Sequence, residues 1–342
     1  MGCQGMLGVN NAPAQAAGGL PGGHPPRLAG LLKAQAFGPL LVLIGFGLIF
    51  SVTTSTFFAI GNFSIIAQQC VIEGTLAIGQ TLIMLTAGID LANGAIAVLG
   101  TLVAARLASQ DIAALPALFI AFAICTAVGG VSGGLIARLK LPPFIVTLGI
   151  LGIVTAAARL YSVGETYPVS SDLLSWTGNH VHLGSLVITS GVLVMLGLYI
   201  AVWYLLSQTA WGQHVYAIGN NREAARLVGI KVDRTVLSVY VLAAFLYGIG
   251  AWLALGRIPD ADPNALQTAN LDTITAVVIG GTSLFGGRGG VAGTLIGTLI
   301  VAVLRNGLTL MEIDPLWQDM ITGVLVILAV AFDQLSRQSR RG

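Results

Sequence analysis

Charged residues are scarce in this sequence. Of its 342 residues, only 14 are Asp or Glu and 16 are Lys or Arg, which makes 9% of the chain charged, while 55% is hydrophobic. Mean hydropathy is +0.87. A soluble globular domain has about 25% charged residues. Because this chain could not cover a water-facing surface, its composition predicts an all-α protein that crosses a membrane several times. The small net charge of +2 gives no indication of a nucleic-acid partner.

Cysteine, lysine and histidine are also rare, and their positions exclude several kinds of site. Cys3, Cys70 and Cys125 are too few and too scattered for a disulfide framework or a metal site. The 4 histidines all lie in the N-terminal stretch or in connections between apolar runs. No Ser/His/Asp set or Cys/His pair is spaced for catalysis. We therefore expect a protein that is not an enzyme and that binds no metal or cofactor itself.

Apolar runs divide the chain, and each spanning helix needs about 20 such residues. Residues 1–36, rich in Gly, Pro and Ala, are predicted to form a disordered tail. Residues 37–336 form the predicted transmembrane domain, and residues 337–342 form a basic tail. An interfacial break is expected at 61–69 and a polar loop at 162–184. The predicted spans are 37–59, 70–88, 91–108, 113–136, 144–161, 185–206, 235–256, 270–285, 289–308 and 316–335.

The distribution of basic residues predicts the orientation of the chain. With ten helices both termini lie on one side, and that side collects 12 of the 16 Lys and Arg. The positive-inside rule makes it the cytoplasm. The opposite side collects most of the acids, including Asp260, Asp262 and Asp272. The cytoplasmic basic residues are Arg27, Lys33, Arg138, Lys140, Arg222, Arg226, Lys231, Arg234, Arg288, Arg337, Arg340 and Arg341.

The connection 207–234 is the most polar segment between two spans. Residues 222–228 consist of good helix formers. Asn220 and Asn221 precede them, where N-caps fall, and Gly229 follows them, where a helix C-cap favours glycine. The segment therefore predicts a short cytoplasmic surface helix.

Four motifs occur in order along the chain: Ala87–Gly94, Leu139–Gly149, Tyr216–Leu227 and Ala276–Gly289. Together they closely resemble the ribose-type permeases of bacterial sugar importers of the ATP-binding-cassette (ABC) class, and the resemblance covers residues 40–335. The pattern Glu223-Ala224-Ala225 with a following Gly229 resembles the EAA loop of such permeases, the helix that docks onto the ATPase.

The resemblance implies a type II ABC-importer permease with about ten transmembrane helices, working as a homodimer or heterodimer in the bacterial inner membrane. A cytoplasmic ATPase would bind the ATP, and a periplasmic binding protein would deliver the solute. Asn93 departs from the pattern, in which Ser or a similar small residue is expected. The expected ATPase-coupling residues are Arg222, Glu223, Ala224, Ala225, Arg226 and Gly229.

Several polar residues in or beside the spans are candidates for a solute path, because polar groups in a membrane are costly. For Glu73 the alternative is snorkelling to the outer interface, and for Asp90 it is capping of the third helix. The hydroxyl groups could equally bond backbone carbonyls. The candidates are Glu73, Gln80, Asp90, Asn93, Thr147, Thr282 and Ser283. Four arginines near outer helix ends could snorkel or contact the binding protein: Arg106, Arg159, Arg257 and Arg305.

Glycines link the eighth and ninth spans. Gly281 and Gly286 have the spacing of a phosphate-binding loop, but Gly287 and Arg288 stand where Lys and Ser or Thr are required. The link therefore predicts a tight turn between close-packed helices. Small residues every four positions let helices approach in lipid. This pattern holds Gly289, Gly293 and Gly297 on the ninth span, and Gly129 and Gly133 on the fourth.

Other transporter classes remain open at this stage. An ABC permease for branched-chain amino acids or nucleosides would have a similar scaffold. An ion-coupled secondary transporter would require discontinuous helices around an intramembrane ion site. The buried acids here are too sparse and too close to helix ends to favour the latter.

Overall fold

A computed structural model describes residues 28–184 and 186–338 of the protein. Most of the predicted tail 1–36 and of the predicted basic tail 337–342 lies outside these described residues.

The described residues form a helical bundle with two small antiparallel sheets. Strand β1 pairs with β4, and β2 pairs with β3. The strands are β1 (Tyr167–Pro168), β2 (His180–Leu183), β3 (Leu186–Thr189) and β4 (Asp260–Ala261). The helices are α1 (Leu28–Thr53), α2 (Ile60–Leu85), α3 (Asn93–Ser109), α4 (Ala114–Arg138), α5 (Pro143–Ser162), α6 (Asp172–Ser175), α7 (Ser190–Gln208), α8 (Ala210–Asn220), α9 (Arg222–Leu227), α10 (Val232–Arg257), α11 (Ala269–Ile279), α12 (Val291–Leu310) and α13 (Pro315–Gln338), with a 3₁₀ turn at Trp176–Gly178.

Five helices in the described part of the chain are long and apolar enough to cross a membrane: α4, α5, α7, α10 and α12. Shorter apolar stretches occupy Gly38–Thr53 of α1, Asn93–Ser109, Ala269–Ile279, and Pro315–Ala331 of α13. This mostly helical, apolar architecture agrees with the polytopic membrane protein that the composition predicted.

Helix α2 lies at the centre of the bundle. It packs against α7, α10, α11 and α12. From Cys70 to Leu85 every residue except Glu73 is buried. Several of its polar side chains find partners inside the bundle, as when Thr81 Oγ1 donates to the Ala77 carbonyl at 2.7 Å. Such bonds are needed wherever water is excluded.

Helix α1 begins before the first predicted span. It starts at Leu28, so residues 28–36, which were assigned to the predicted tail, are helical. They are mostly Leu and Ala, which are strong helix formers.

The predicted interfacial break at 61–69 is wrong, because α2 is helical from Ile60. The chain breaks at residues 54–59 instead. Polar residues suggested a break, but in the structure they bond to neighbouring elements. The Asn62 amide donates to the Phe57 carbonyl at 2.9 Å and accepts a bond from Asn306 of α12 at 2.9 Å.

Two other predicted spans are shorter as helices. Residues 186–189 form β3, because the β-branched residues Val187, Ile188 and Thr189 pair with β2, and α7 starts only at Ser190. Helix α11 has 11 residues and ends at Ile279. At 1.5 Å per residue it is about 16 Å long, so it crosses only part of a bilayer by itself.

Glycines pack α11 against α12. Gly293 faces the carbonyl of Gly280, and Gly297 faces the carbonyl of Ala276, so a side chain at either glycine would strike backbone. The predicted close approach is confirmed for these two residues. Gly289 lies in the link before α12 and not on the helix, with φ of +116°, a conformation that favours glycine.

The glycine face predicted on the fourth span is confirmed. Gly129 and Gly133 of α4 lie directly against Tyr240 of α10, and Gly129 also touches Ala244. Gly134, one residue further, has open space around it. The pair of small residues therefore lets two long helices approach closely.

We expect Gly129→Val to lower the thermal stability of the purified protein in detergent, because the new side chain would overlap the backbone of Tyr240. Overpacking of this kind costs about 1–3 kcal/mol. Gly134→Val is the matched control and should leave the melting temperature within about 1 °C, since it meets no neighbour. Equal melting temperatures for the two variants would contradict the α4–α10 contact.

Candidate functional site

The polar connection 207–234 folds into two consecutive helices, α8 and α9. Asn221 caps α9, because its Oδ1 accepts hydrogen bonds from the amides of Glu223 and Ala224, both at 3.0 Å. Gly229 follows the helix with φ of +86°, and its amide donates to the Arg226 carbonyl at 3.0 Å. Both predicted ends of the short helix are thus confirmed.

The two alanines of the expected coupling motif point in different directions. Ala224 is exposed, but Ala225 is buried and belongs to the main hydrophobic core. Ala225, one of the expected coupling residues, therefore packs inside this chain. The exposed apolar groups are Leu227, 88% exposed, and Val228, 77% exposed. Ala224, Leu227 and Val228 are called the α9 patch below.

Charged residues of the connection hold α9 to α10. Arg226 lies 3.5 Å from Glu223 and 3.2 Å from Asp233, measured from nitrogen to carboxylate oxygen. Both pairs are partly exposed, so each contributes at most about 1 kcal/mol. Arg222 is half-buried and lines a cavity of about 250 Å³ beside Asn220 and Tyr240. Of the expected coupling residues, Glu223, Ala224 and Gly229 are exposed.

The glycine-rich link 280–290 connects this region to the centre of the bundle. The Gly287 amide donates to the carbonyl of Leu85, the last residue of α2, at 3.0 Å. The Tyr216 hydroxyl of α8 donates to the Gly289 carbonyl at 2.9 Å. Gly219 of α8 also lies directly against Leu85 and Gly287. One loop therefore touches α8, α2 and α12 together.

Backbone amides of the link already donate hydrogen bonds to carbonyls of the same link. The Ser283 amide donates to the Arg288 carbonyl at 3.0 Å, and the Gly286 amide donates to the Ser283 carbonyl at 3.1 Å. A phosphate-binding loop would turn such amides toward the ligand. The geometry agrees with the turn that the sequence predicted.

Thr282 and Ser283, two residues proposed for a solute path, hold this link in place. Thr282 Oγ1 accepts a bond from the Gly290 amide at 3.2 Å. Ser283 Oγ donates to Asp333 of α13 at 3.2 Å, and Asp333 also accepts from the Leu284 amide at 3.3 Å. Asp333 was missed in the sequence, because it lies near the end of an apolar run without a motif.

Asp90, Asn93 and Thr147 fix the connection between α2 and α3. Asp90 Oδ1 accepts from the Ala92 amide at 2.8 Å, one residue before α3 begins, so it closes a turn and does not cap the helix itself. The Asn93 amide donates to Thr273 of α11 at 2.7 Å.

Thr147 joins α5 to the same connection. Its hydroxyl lies 3.0 Å from the Ile89 carbonyl and 3.1 Å from the Pro143 carbonyl, either of which can accept its hydrogen bond. These contacts place the start of α3 beside the first turns of α5.

The side chains of Glu73 and Gln80 make no comparable hydrogen bonds to the described residues. Because α2 begins at Ile60, Glu73 lies about 20 Å along the helix, too far from its start for the alternative of snorkelling to the outer interface. Gln80 is fully buried, and neither its oxygen nor its nitrogen has a hydrogen-bond partner among the described residues. Glu73 and Gln80 are two turns apart on one face of α2, the face whose Ala77 packs near α11.

Arg305 of α12 joins three helices through ion pairs. Its Nη2 lies 2.8 Å from Asp272 of α11 and 3.1 Å from Asp319 of α13. Asp272 was assigned to the outer side of the membrane with the other acids, but it lies in the first turn of α11 and is buried. Arg305 therefore neither snorkels nor faces a partner; it compensates a buried carboxylate.

Two of the other arginines also bond within the chain. The Arg106 guanidinium lies 4.5 Å from the Tyr161 ring centroid and donates to the Tyr161 carbonyl. Arg159 donates to the Asn264 side chain at 3.2 Å. Arg257 lines a cavity of about 140 Å³ near the start of α7.

Arg305→Met should destabilise the protein strongly, because it leaves the Asp272 carboxylate buried without a cation. Loss of one partner of a buried pair costs about 3–5 kcal/mol. The double variant Asp272→Leu/Arg305→Met should recover most of the melting temperature in detergent, and Arg138→Met, at an exposed arginine, should change it little. No recovery in the double variant would contradict the role given to this pair.

Metal ligands do not cluster in this chain: across residues 28–184 and 186–338 no group of three or more His, Cys, Asp or Glu is placed to hold a metal ion. Cys70 and Cys125 are free thiols, and both are buried.

Comparisons with known proteins give a consistent result. Residues 62–330 match the family model described as branched-chain amino acid transport system, permease component. The fructose import permease protein FrcC of Rhizobium meliloti is 43% identical over 319 residues, covering 90% of this chain and 88% of the relative. The ribose import permease protein RbsC of Escherichia coli (strain K12) is 36% identical, covering 89% of this chain and 94% of the relative.

A third sugar appears among the similar proteins. The galactose/methyl galactoside import permease protein MglC of Haemophilus influenzae is 32% identical over 329 residues, covering 91% of this chain and 97% of the relative. No solved structure matches this chain with significance.

Proposed function

Because this chain belongs to the family of branched-chain amino acid transport system permease components, we propose that it is the membrane-spanning permease of an ABC importer for a monosaccharide. The observation that carries the proposal is similarity along about nine-tenths of the chain to permeases named for fructose, ribose and galactose. The chain itself is a transport subunit of the bacterial inner membrane and not an enzyme. Amino acids or nucleosides are the alternative solutes, because the family name includes branched-chain amino acids.

A separate ATPase supplies the energy in this proposal. The chain has only three lysines, none of them in a phosphate-binding motif. The α9 patch offers Leu227 and Val228, which are more than three-quarters exposed on a capped, two-turn helix. An apolar patch of this kind fits a groove on another protein. Glu223 and Arg226 at its edge would then orient the contact.

The glycine-rich link would carry motion from the ATPase to the spans. It contacts α8 through Tyr216, α2 through Leu85, and α13 through Asp333. A displacement of α8 and α9 would therefore act on α2, the central helix, without passing through lipid-facing side chains.

We also propose ten membrane segments with both termini in the cytoplasm. In this arrangement α8, α9 and the link 280–290 lie inside, and the β1–β4 and β2–β3 sheets lie outside. Helix α11 and the non-helical residues before it together make one membrane segment.

The outer sheets would meet a periplasmic binding protein, and a second permease chain would complete the path. Glu73 and Gln80 remain the proposed path residues, because neither side chain makes a hydrogen bond within the part of the chain that the structure describes.

Thiol labelling tests the orientation. In a variant without native cysteines, Asp172→Cys should react with a membrane-impermeant thiol reagent added outside intact cells or spheroplasts, and Gln213→Cys should react only after the membrane is opened. Both positions are exposed, so the difference reports the side of the membrane. Reaction of Gln213→Cys from outside would place α9 on the wrong side for an ATPase.

Leu227→Asp tests the docking of the α9 patch. We expect it to abolish co-purification with the partner ATPase, because a charge would be buried without a partner at the contact. The fold should survive, since Leu227 is 88% exposed in the permease. Leu139→Asp, at an exposed leucine after α4, is the matched control and should leave assembly unchanged. Normal assembly of the Leu227→Asp variant would contradict the assignment of α9.

A further inference from the structure

The segment between β4 and α11 leads from one end of the bundle toward its middle. Ala261 pairs with Tyr167, just beyond the end of α5 at Ser162. Five residues later the Leu266 carbonyl lies directly against Gly94, in the first turn of α3. The segment therefore descends beside the C-terminal half of α5, whose residues from Leu151 to Arg159 lie close to it.

This descending segment is not helical. Residues 263–268 form turns, and Leu266 has a φ of +53°, which is uncommon for a residue other than glycine. Non-helical backbone at membrane depth is tolerated where it is buried in protein or lines a water-filled cavity. Strained backbone of this kind is concentrated at functional sites.

A cavity of about 280 Å³ lies between this segment, α3 and α5. On α3 it is bounded by small or apolar residues from Gly94 to Val98, and on α5 by Leu151, Thr155 and Ala158. Its volume is close to the lower end of small-molecule pockets, about 300 Å³. The space is large enough for one sugar ring.

Polar groups line the cavity where it meets the segment. Thr155 makes no side-chain hydrogen bond to any described residue, whereas Thr147, two turns earlier on α5, bonds to backbone carbonyls. Gln267 is exposed on the segment and also lines the cavity. The Asn270 amide, near the start of α11, donates to the Leu91 carbonyl at 3.3 Å. Arg159 closes one edge through its bond to Asn264.

We propose that this cavity is a subsite for the solute in transit, holding one monosaccharide ring against α3 and α5. The inference rests on the proposed function and goes beyond it by placing the solute. Thr155 and Gln267 would bond ring hydroxyl groups as donors and acceptors. The apolar wall formed by Leu151 and Val98 would pack against the C–H groups of the ring. A lipid chain filling the same space is the competing occupant.

Thiol accessibility separates a hydrated subsite from a lipid-filled gap. In a variant without native cysteines, Thr155→Cys should react with a small hydrophilic thiol reagent at least about tenfold faster than Thr126→Cys. The thiolate is the reactive form, and a cysteine in a hydrated cavity ionises more readily than one without water around it. Thr126 is a matched control on α4, half-buried and bonded to the Phe122 carbonyl. Equally slow reaction at both positions would show a dry, lipid-filled space and would overturn the subsite.

Transport kinetics test the sugar contact in the complex with its ATPase and binding protein. With fructose, ribose and galactose as probes, Thr155→Val should raise the KM for uptake about three- to tenfold, the effect of losing one hydrogen bond. Thr126→Val should leave KM unchanged. An unchanged KM in Thr155→Val overturns the subsite. A wild-type complex that assembles but transports none of the three sugars counts against the proposed function instead.

Discussion

The structure depends on one constraint: polar groups inside the bundle must find partners where water cannot reach them. Thr81 bonds a backbone carbonyl within its own helix, and Asn62 bonds Asn306 across two helices. The buried Asp272 is stabilised by Arg305, which Asp319 also contacts. These bonds hold α2, α11, α12 and α13 in register. Where a polar group has no such partner, as with Gln80, it marks a place where a solute or water could bind.

Glycine residues also shape the bundle, because they let two backbones approach where side chains would not fit. Gly129 allows α4 to approach α10, and Gly297 allows α12 to approach α11. In the link 280–290, Gly287 reaches the carbonyl of Leu85. The link is thereby attached to the central helix by a backbone hydrogen bond, and α8 is attached to the link by the Tyr216 hydroxyl. In the proposed importer this attachment would convert the movement of an ATPase into a movement of the spans.

The hydropathy of the sequence predicts most of the long helices, since apolar length is a direct signal of membrane burial. The caps of α9 were also predictable, because Asn221 and Gly229 act through local backbone geometry. The burial of Ala225 and the ion pairs of Arg305 were not, because they depend on which helices become neighbours. Polar residues such as Asn62 were misinterpreted as a break for the same reason: their partners are distant in sequence.

The most direct test of the account is uptake by proteoliposomes that contain this chain together with its ATPase and binding protein. The account predicts that at least one of fructose, ribose and galactose accumulates only when ATP is supplied. Dissipating the proton and sodium gradients should not reduce that accumulation. Sugar accumulation by this chain alone under an ion gradient would contradict the account, as would ATP-driven uptake of leucine without uptake of any sugar.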